Sequence, residues 1–353
     1  MKVMVIGNLS DRQTGEYIAR SFVDTKELGV DEVYGIDTRK IPKEISMLEA
    51  QEKIISEVKD VAEAPSIILV LKGLEIKLDT LKKIQAIYPD AIFVNWFFDK
   101  YLAEKPIWDT EKFFDVIRFY DFFFCSLKGV ATKLKEEKCL PNVHYLDEAC
   151  YPPFNGEVYI NNFQKKKYAG DLSFIGSIGF KLQHSNRIDI LKRILNDGFG
   201  LRIWGKRVID IKYIPQELRA CLEEKNVIND EHSKVVQSSL LNLGIDQDPG
   251  LDRGHSARAY RVMAAGGLYL STATKGLWEM FKVNGPDDEI TPDLDMVLFY
   301  GPEDLVQKAD FLLEHDAIRE SIASNGQKAV LDKHTFSDRL AEMLSIINKS
   351  ITR

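Results

Sequence analysis

Residues Ser66-Ile67-Ile68-Leu69-Val70-Leu71 form a strand-length run that is apolar at every position after its serine and stops at Lys72-Gly73. A strand with one wet face alternates polar and apolar residues. A run that is apolar on both faces needs cover on both, which a parallel sheet between two layers of helices provides. Comparable segments recur at Val3–Ile6, Glu32–Asp37, Ala91–Trp96 and Phe119–Ser126. Helical periodicity fills the gaps, over Thr14–Leu28, Leu48–Ala62 and Leu78–Tyr88. Buried strands alternating with helices predict a doubly wound α/β domain.

Around Tyr151–Tyr168 the alternation stops: Pro152-Pro153-Phe154-Asn155-Gly156 and Lys165-Lys166-Lys167 read as a linker with a solvated lysine face. It then restarts, with strands at Leu172–Ile175, Leu201–Trp204, Ser239–Ile245 and Val297–Tyr300 and a helix over Asn186–Asp197. Helices follow from Glu303 to His315 and from Ala317 onward, and Ser337 or Asp338 is placed to cap a last helix reaching Asn348. A chain of 353 residues is long for one core. The expected division is an N-terminal Rossmann-like domain over 1–160, a second over 161–334, and a C-terminal helix over 335–353 that packs back on the first domain. Ligands of such sheets sit at the carboxyl ends of the strands, so two such domains facing each other suit a donor on one side of a cleft and an acceptor on the other.

A net charge of −7 speaks against a surface devoted to nucleic acid. Cys125, Cys139, Cys150 and Cys221 form no metal-binding pair and read as buried free thiols of a reducing compartment. The chain opens directly into a strand, and no apolar run approaches the ~20 residues of a membrane span. The expectation is a cytoplasmic protein without a membrane span.

The segment most suggestive of chemistry is His255–Thr272, where a polar, basic opening leads into the small-residue helix around Arg258 and Arg261, a Gly266-Gly267 stop and a buried strand ending in Ser271-Thr272-Ala273-Thr274-Lys275. Guanidinium and backbone N–H groups together favour an anion, so this pattern points to a phosphate-bearing ligand. Neither a P-loop nor a Gly-x-Ser-x-Gly elbow occurs, which argues against an ATPase and an α/β-hydrolase.

Several motifs fall in an order that resembles the spore-maturation-B-like glycosyltransferases: Asp171–Ser177, Ile203-Trp204-Gly205, Leu241–Ile245, the His255–Thr272 segment, Leu277–Phe281, Glu303-Asp304-Leu305, and Gly326-Gln327 with His334-Thr335-Phe336 and Arg339. The likeness reaches the first half through Tyr120–Ser126 and Tyr145–Pro152. It implies the GT-B fold, two doubly wound Rossmann-like domains facing across a cleft with C-terminal helices. It also implies transfer of a sugar from a nucleotide-sugar, expected to be UDP-linked, to an unidentified acceptor: a glycan, a protein or a modified nucleic-acid base. The family carries a glutamate where this chain has Arg261, and related families carry one where it has Arg253. Those substitutions shift the expected donor contacts toward phosphate, or leave a nucleotide-binding protein without transferase activity.

With that resemblance as context, the donor contacts are expected from Gly176 and Ser177, Lys206 and Arg207, Arg253, Arg258 and Arg261, and Thr272 and Lys275, all at strand ends or on the basic helix. Candidate bases are Asp99, which alternatively caps a helix, Asp11 and His255. Asp246-Gln247-Asp248 resembles a metal-holding Asp-x-Asp, but GT-B enzymes generally work without that metal, so none is expected.

Overall fold

The computed structural model describes residues 1–10, 13–42, 44–98, 111–178, 185–205, 214–223, 225–246 and 255–351, with backbone alone at 111–112 and 185–186. The chain divides into two compact units, Met1–Glu148 with Phe336–Arg353, and Ala149–Thr335.

The first unit alternates β1 (Lys2–Gly7), α1 (Thr14–Asp24), β2 (Glu32–Asp37), α2 (Met47–Lys59), β3 (Ile67–Leu71), α3 (Leu78–Ile87), β4 (Ile92–Phe97), α4 (Glu111–Phe119), β5 (Phe122–Cys125), α5 (Lys128–Glu136) and β6 (Val143–Tyr145). Among the described residues the strands form one six-stranded sheet in the order β2-β1-β3-β4-β5-β6, every pair parallel. All of β3 is buried, as its two-faced apolar sequence demands. The chain leaves β1 toward β2 and returns past it to β3, so the winding reverses between β1 and β3. A Rossmann-like sheet opens its binding crevice at such a point.

The second unit begins with two short helices, α6 (Pro152–Asn155) and α7 (Asn162–Tyr168). It continues β7 (Gly170–Ile175), α8 (Ser185–Asn196), β8 (Leu201–Trp204), α9 (Gln216–Arg219), α10 (Asp230–Ser238), β9 (Ser239–Gly244), α11 (Arg258–Ala264), β10 (Tyr269–Thr272), α12 (Lys275–Met280), β11 (Val297–Phe299), α13 (Pro302–Glu314) and α14 (Asp316–Lys333). Its parallel sheet runs β11-β10-β9-β7-β8, with the reversal between β7 and β9. Leu172, Phe174, Leu241, Leu243, Leu268 and Leu270 fill the core on one face of this sheet. The other face carries Ser173, whose hydroxyl donates to Asn242 Oδ1 at 2.8 Å, and Tyr269, which packs with the buried side of α11.

The last helix, α15 (Phe336–Ile351), rejoins the first unit. Phe336, Leu340, Met343, Leu344 and Ile347 repeat at helical spacing and are all buried. Phe336 meets Trp96 and Tyr17 with ring centroids 6.0 and 6.5 Å apart.

Three local expectations need correction. The segment expected to be a linker is helical at both ends. A proline pair at the start of α6 supplies preset φ angles where no N–H partner is needed, and Asn161 and Gln164 cap α7 reciprocally. The lysine run does lie on an exposed face of α7. Ser337 lies inside the first turn of α15 instead of capping it, and its hydroxyl pairs with that of Thr25 at 2.6 Å. Cys125, Cys150 and Cys221 are buried thiols, but Cys139 is exposed, in the turn before β6 where its φ is 53°. Among the described residues no helix is long and apolar enough to cross a membrane.

Candidate functional site

The winding reversal of the second sheet brings the end of β7 beside the end of β9, and two arginines converge there. Arg258, on α11, donates from Nε to the carbonyl of Ile175 at 2.8 Å. Arg187, on α8, donates from Nε to the carbonyl of Ile245 at 3.1 Å and from Nη1 to that of Ser177 at 2.8 Å. Carbonyls left unpaired where strands stop are natural acceptors for such donors. The buried ring of Phe174 lies between the two side chains, with guanidinium carbons 5.6 Å (Arg187) and 5.2 Å (Arg258) from its centroid.

Glycines make this approach possible. A Cβ on Gly176 would lie 2.8 Å from Nη2 of Arg258 and 2.9 Å from Cζ of Phe174. Gly205, at φ 139°, packs backbone to backbone against Gly176, where a Cβ would meet the Gly176 carbonyl.

The balance of charge is unusual for a buried place. Asp246 is 1% exposed, accepts from the backbone N–H of Ser256 at 3.2 Å, and lies 3.7 Å from Nη1 of Arg258. That Nη1 is buried and makes no hydrogen bond, although the whole Arg258 side chain is 11% exposed. Burial first, and the Arg258 charge second, lower the pKa of Arg187. Burial, then the charges of Arg261 and Arg258, push His232 on α10 down to about 3, so its imidazole is neutral. Burial and the Asp246 carboxylate push the Tyr269 hydroxyl up to about 12. The Tyr269 and Ser271 hydroxyls and Nδ1 of His232 are likewise buried without a hydrogen-bond partner. Buried polar atoms are nearly always satisfied. A guanidinium whose buried Nη1 makes no hydrogen bond, set between the Arg187 guanidinium and the Asp246 carboxylate, offers the donor chemistry that suits an anion bearing several acceptor oxygens.

Of the residues expected from sequence, Gly176, Ser177 and Arg258 come together here. Arg261 lies one turn further along α11, half-buried, and its charge reaches His232. Thr272 is buried, and its hydroxyl accepts from the backbone N–H of Asp246 at 3.0 Å, tying β10 to β9. Lys275 is exposed at the start of α12. His255 is buried, its Nε2 3.0 Å from the hydroxyl of Tyr260, in an aromatic cluster with Phe281 and His334. Asp11, Asp99, Lys206, Arg207, Arg253 and Asp248 lie outside the described residues. Sequence reading missed Arg187, although a signal was present: it stands four and seven residues before Leu191 and Ile194, on the apolar face of α8. Missed too was His232, on the buried side of α10 with Val235 and Val236.

Residues 187–345, which include both arginines, match a family model described as glycosyl transferase-like. No curated protein matches the chain. Similar solved structures include the catalytic domain of starch synthase IV from Arabidopsis thaliana bound to ADP and acarbose, at 9% identity over 100% of this chain and 99% of that one, with a TM-score of 0.67. An alpha-glucosyltransferase in complex with UDP and a 13-mer DNA containing an HMU base gives 0.65, at 12% identity over 99% of both chains. UDP-GlcNAc 2-epimerase from Neisseria meningitidis, bound to UDP-GlcNAc, gives 0.52 at 11% identity over 99% of this chain and 100% of that one. Both units carry the Rossmann-like sheets of this fold, GT-B, which glycosyltransferases and epimerases share.

Proposed function

We propose that the protein is a glycosyltransferase of the spore-maturation-B-like kind, which takes a sugar from a nucleoside diphosphate, UDP in the first instance, and holds the diphosphate at Arg258, Gly176 and Ser177. The observation that carries this reading is the Nη1 of Arg258, buried and without a hydrogen bond beside a glycine that leaves room for nothing larger. The glycosyl transferase-like match over this half of the chain supports it, as does the presence of UDP, ADP or UDP-GlcNAc in the structures that share its fold.

In the reaction the bond between the sugar's anomeric carbon and the diphosphate oxygen breaks, and a bond from an acceptor oxygen to that carbon forms. The acceptor's proton passes to a base, for which Asp99 and Asp11 are the candidates in the first unit, and the electron pair leaves with the diphosphate. Arg258 and Arg187 sit where that leaving charge grows, and fixed guanidinium groups stabilise it without reorganisation. In this scheme they do the work a divalent metal does in other transferases, and transfer proceeds in chelator. The acceptor is a glycan, a protein or a modified nucleic-acid base.

A thermal-shift panel of nucleoside diphosphates and their sugars tests this, because a ligand that binds only the folded chain raises its melting temperature. Stabilisation by a nucleotide and its loss in Arg258→Ala are expected. A folded Arg258→Ala protein with unchanged affinity refutes the placement. Nucleotide binding without hydrolysis or transfer of any donor identifies a non-catalytic binding protein, the outcome that Arg261 in place of the family's glutamate makes specific.

A further inference from the structure

We propose that Tyr269 is a positioning residue of the nucleotide site: when the diphosphate is bound, its hydroxyl accepts a hydrogen bond from Nη1 of Arg258 and fixes the plane in which that guanidinium meets the phosphate. This role rests on the reading of Arg258 as a diphosphate contact.

Ser173, Asn242 and Tyr269 lie in register across β7, β9 and β10, on the face of the sheet that α11 covers. The first two are satisfied where they stand. Asn242 accepts from the Ser173 hydroxyl at 2.8 Å and donates to the carbonyls of Val236 and Leu268, both at 3.3 Å. The tyrosine reaches further along the strands. A Cβ on Gly244, the last residue of β9, would overlap both the Tyr269 hydroxyl and Oγ of Ser271. The two hydroxyls therefore meet over the bare Cα of that glycine, where the sheet ends toward the arginines. Both side chains are fully buried, and neither hydroxyl has a hydrogen-bond partner among the described residues. A buried hydroxyl without a partner is destabilising, and phenylalanine would fill the same space without that loss. The oxygen is of use in a state that brings it a partner.

Arg258 is that partner. Among the described residues its guanidinium makes one hydrogen bond, from Nε to the carbonyl of Ile175 at the end of β7, and it can pivot about that bond. Nη2 lies against Gly176. Nη1 is buried on the inner side, 3.7 Å from Asp246 and without a hydrogen bond. Burial and the Asp246 carboxylate raise the pKa of the Tyr269 hydroxyl, and the neighbouring Arg258 and Ser271 side chains oppose them. An arginine can only donate, whereas a tyrosine hydroxyl both accepts and donates. A small pivot, drawn by the anion, aligns one N–H of Nη1 with Tyr269, whose own proton then points to Oγ of Ser271. Three buried atoms are satisfied at once. The second N–H of Nη1 and those of Nη2 stay available to phosphate oxygens.

The test is calorimetry with UDP and ADP on the full chain and on Tyr269→Phe, which removes one oxygen and keeps the ring, together with the melting temperature of each protein without nucleotide. The variant should melt no lower than the wild type, because the hydroxyl has no partner in the free fold. It should bind nucleotide about three- to tenfold more weakly, the scale of one hydrogen bond. Undiminished stability with weaker binding is a pairing that a merely structural tyrosine does not give. In an Arg258→Ala background the same substitution should weaken binding no further. A lowered melting temperature of the free variant, or an equal loss of affinity in the Arg258→Ala background, would overturn the proposal. Nucleotide binding that Arg258→Ala weakens and Tyr269→Phe leaves unchanged refutes the positioning role alone. A wild-type chain that binds neither nucleotide, or that binds as tightly after Arg258→Ala, removes the diphosphate reading and this role with it.

Discussion

The substitution Gly176→Ala examines the nucleotide site without touching a charge. The added methyl would lie 2.8 Å from Nη2 of Arg258 and 2.9 Å from Cζ of Phe174. Phe174 is fully buried and cannot retreat, whereas the guanidinium is the end of a flexible chain, so Arg258 moves. Crowding of this kind costs about 1–3 kcal/mol of stability, or roughly 2–4 °C of melting temperature per kcal/mol for a unit of this size. The effect on affinity is larger in relative terms. A displaced guanidinium forfeits charge-assisted hydrogen bonds to phosphate worth about 1.5–3 kcal/mol, roughly 10- to 150-fold in Kd. Titration calorimetry with UDP on wild type, Gly176→Ala, Arg258→Ala and the double variant completes a cycle. Because the methyl acts through Arg258, the double variant should bind no more weakly than Arg258→Ala alone. Additive losses, or an unchanged Kd in Gly176→Ala, would refute this account of the glycine.

Arg187→Ala leaves the carbonyls of Ser177 and Ile245 without their donor; a loss of about 1–3 kcal/mol per unsatisfied group is expected in urea melts, with weakened nucleotide binding. His232, held neutral in the fold with a pKa of about 3 against an ordinary value near 6.5, leaves the unfolded chain binding one more proton between those values. Stability should therefore be complete above about pH 6.5 and fall by up to ~1.4 kcal/mol per pH unit as the medium is acidified toward pH 3. Half-buried His144, lowered mainly by burial, adds to the slope in the same direction; the difference between wild type and His232→Gln in denaturant melts isolates the His232 share, and equal slopes would contradict it. Asp99→Asn, if Asp99 is the base, should reduce turnover about 10²–10⁴-fold while donor affinity stays constant; near-normal turnover would return Asp99 to a helix cap.

The strands of both sheets other than β6 were legible because burial on both faces leaves an uninterrupted apolar signature, as in Ile67–Leu71; the three-residue edge strand β6, buried only at Val143, carries no such run and was missed. The short helices α6 and α7 were not. Prolines and lysines look like linker chemistry, and only the reciprocal Asn161–Gln164 cap distinguishes a helix start. In the site, Gly176, Ser177 and Arg258 were readable because each ends a strand or opens the basic helix. Arg187 was passed over, because an arginine on an amphipathic helix is usually solvated, although its spacing to Leu191 and Ile194 marks the apolar face. What sets it apart is its partners, two strand-end carbonyls separated from it by 10 and 58 residues. Nothing in the local sequence foretells a pairing over such a span.

The return of α15 to the first unit also bears on how the chain matures. Phe336, Leu340 and Met343 belong to a unit whose other residues end at Glu148, and the whole of Ala149–Thr335 intervenes. A ribosome delivers the second unit complete while the first still lacks the helix that covers Tyr17 and Trp96. The half that is second in sequence is thus the first that can close its core. The N-terminal half must wait with apolar surface uncovered until Phe336–Ile351 has emerged, and a chain truncated before Phe336 should betray itself by that exposed surface and not by damage to the arginine pair.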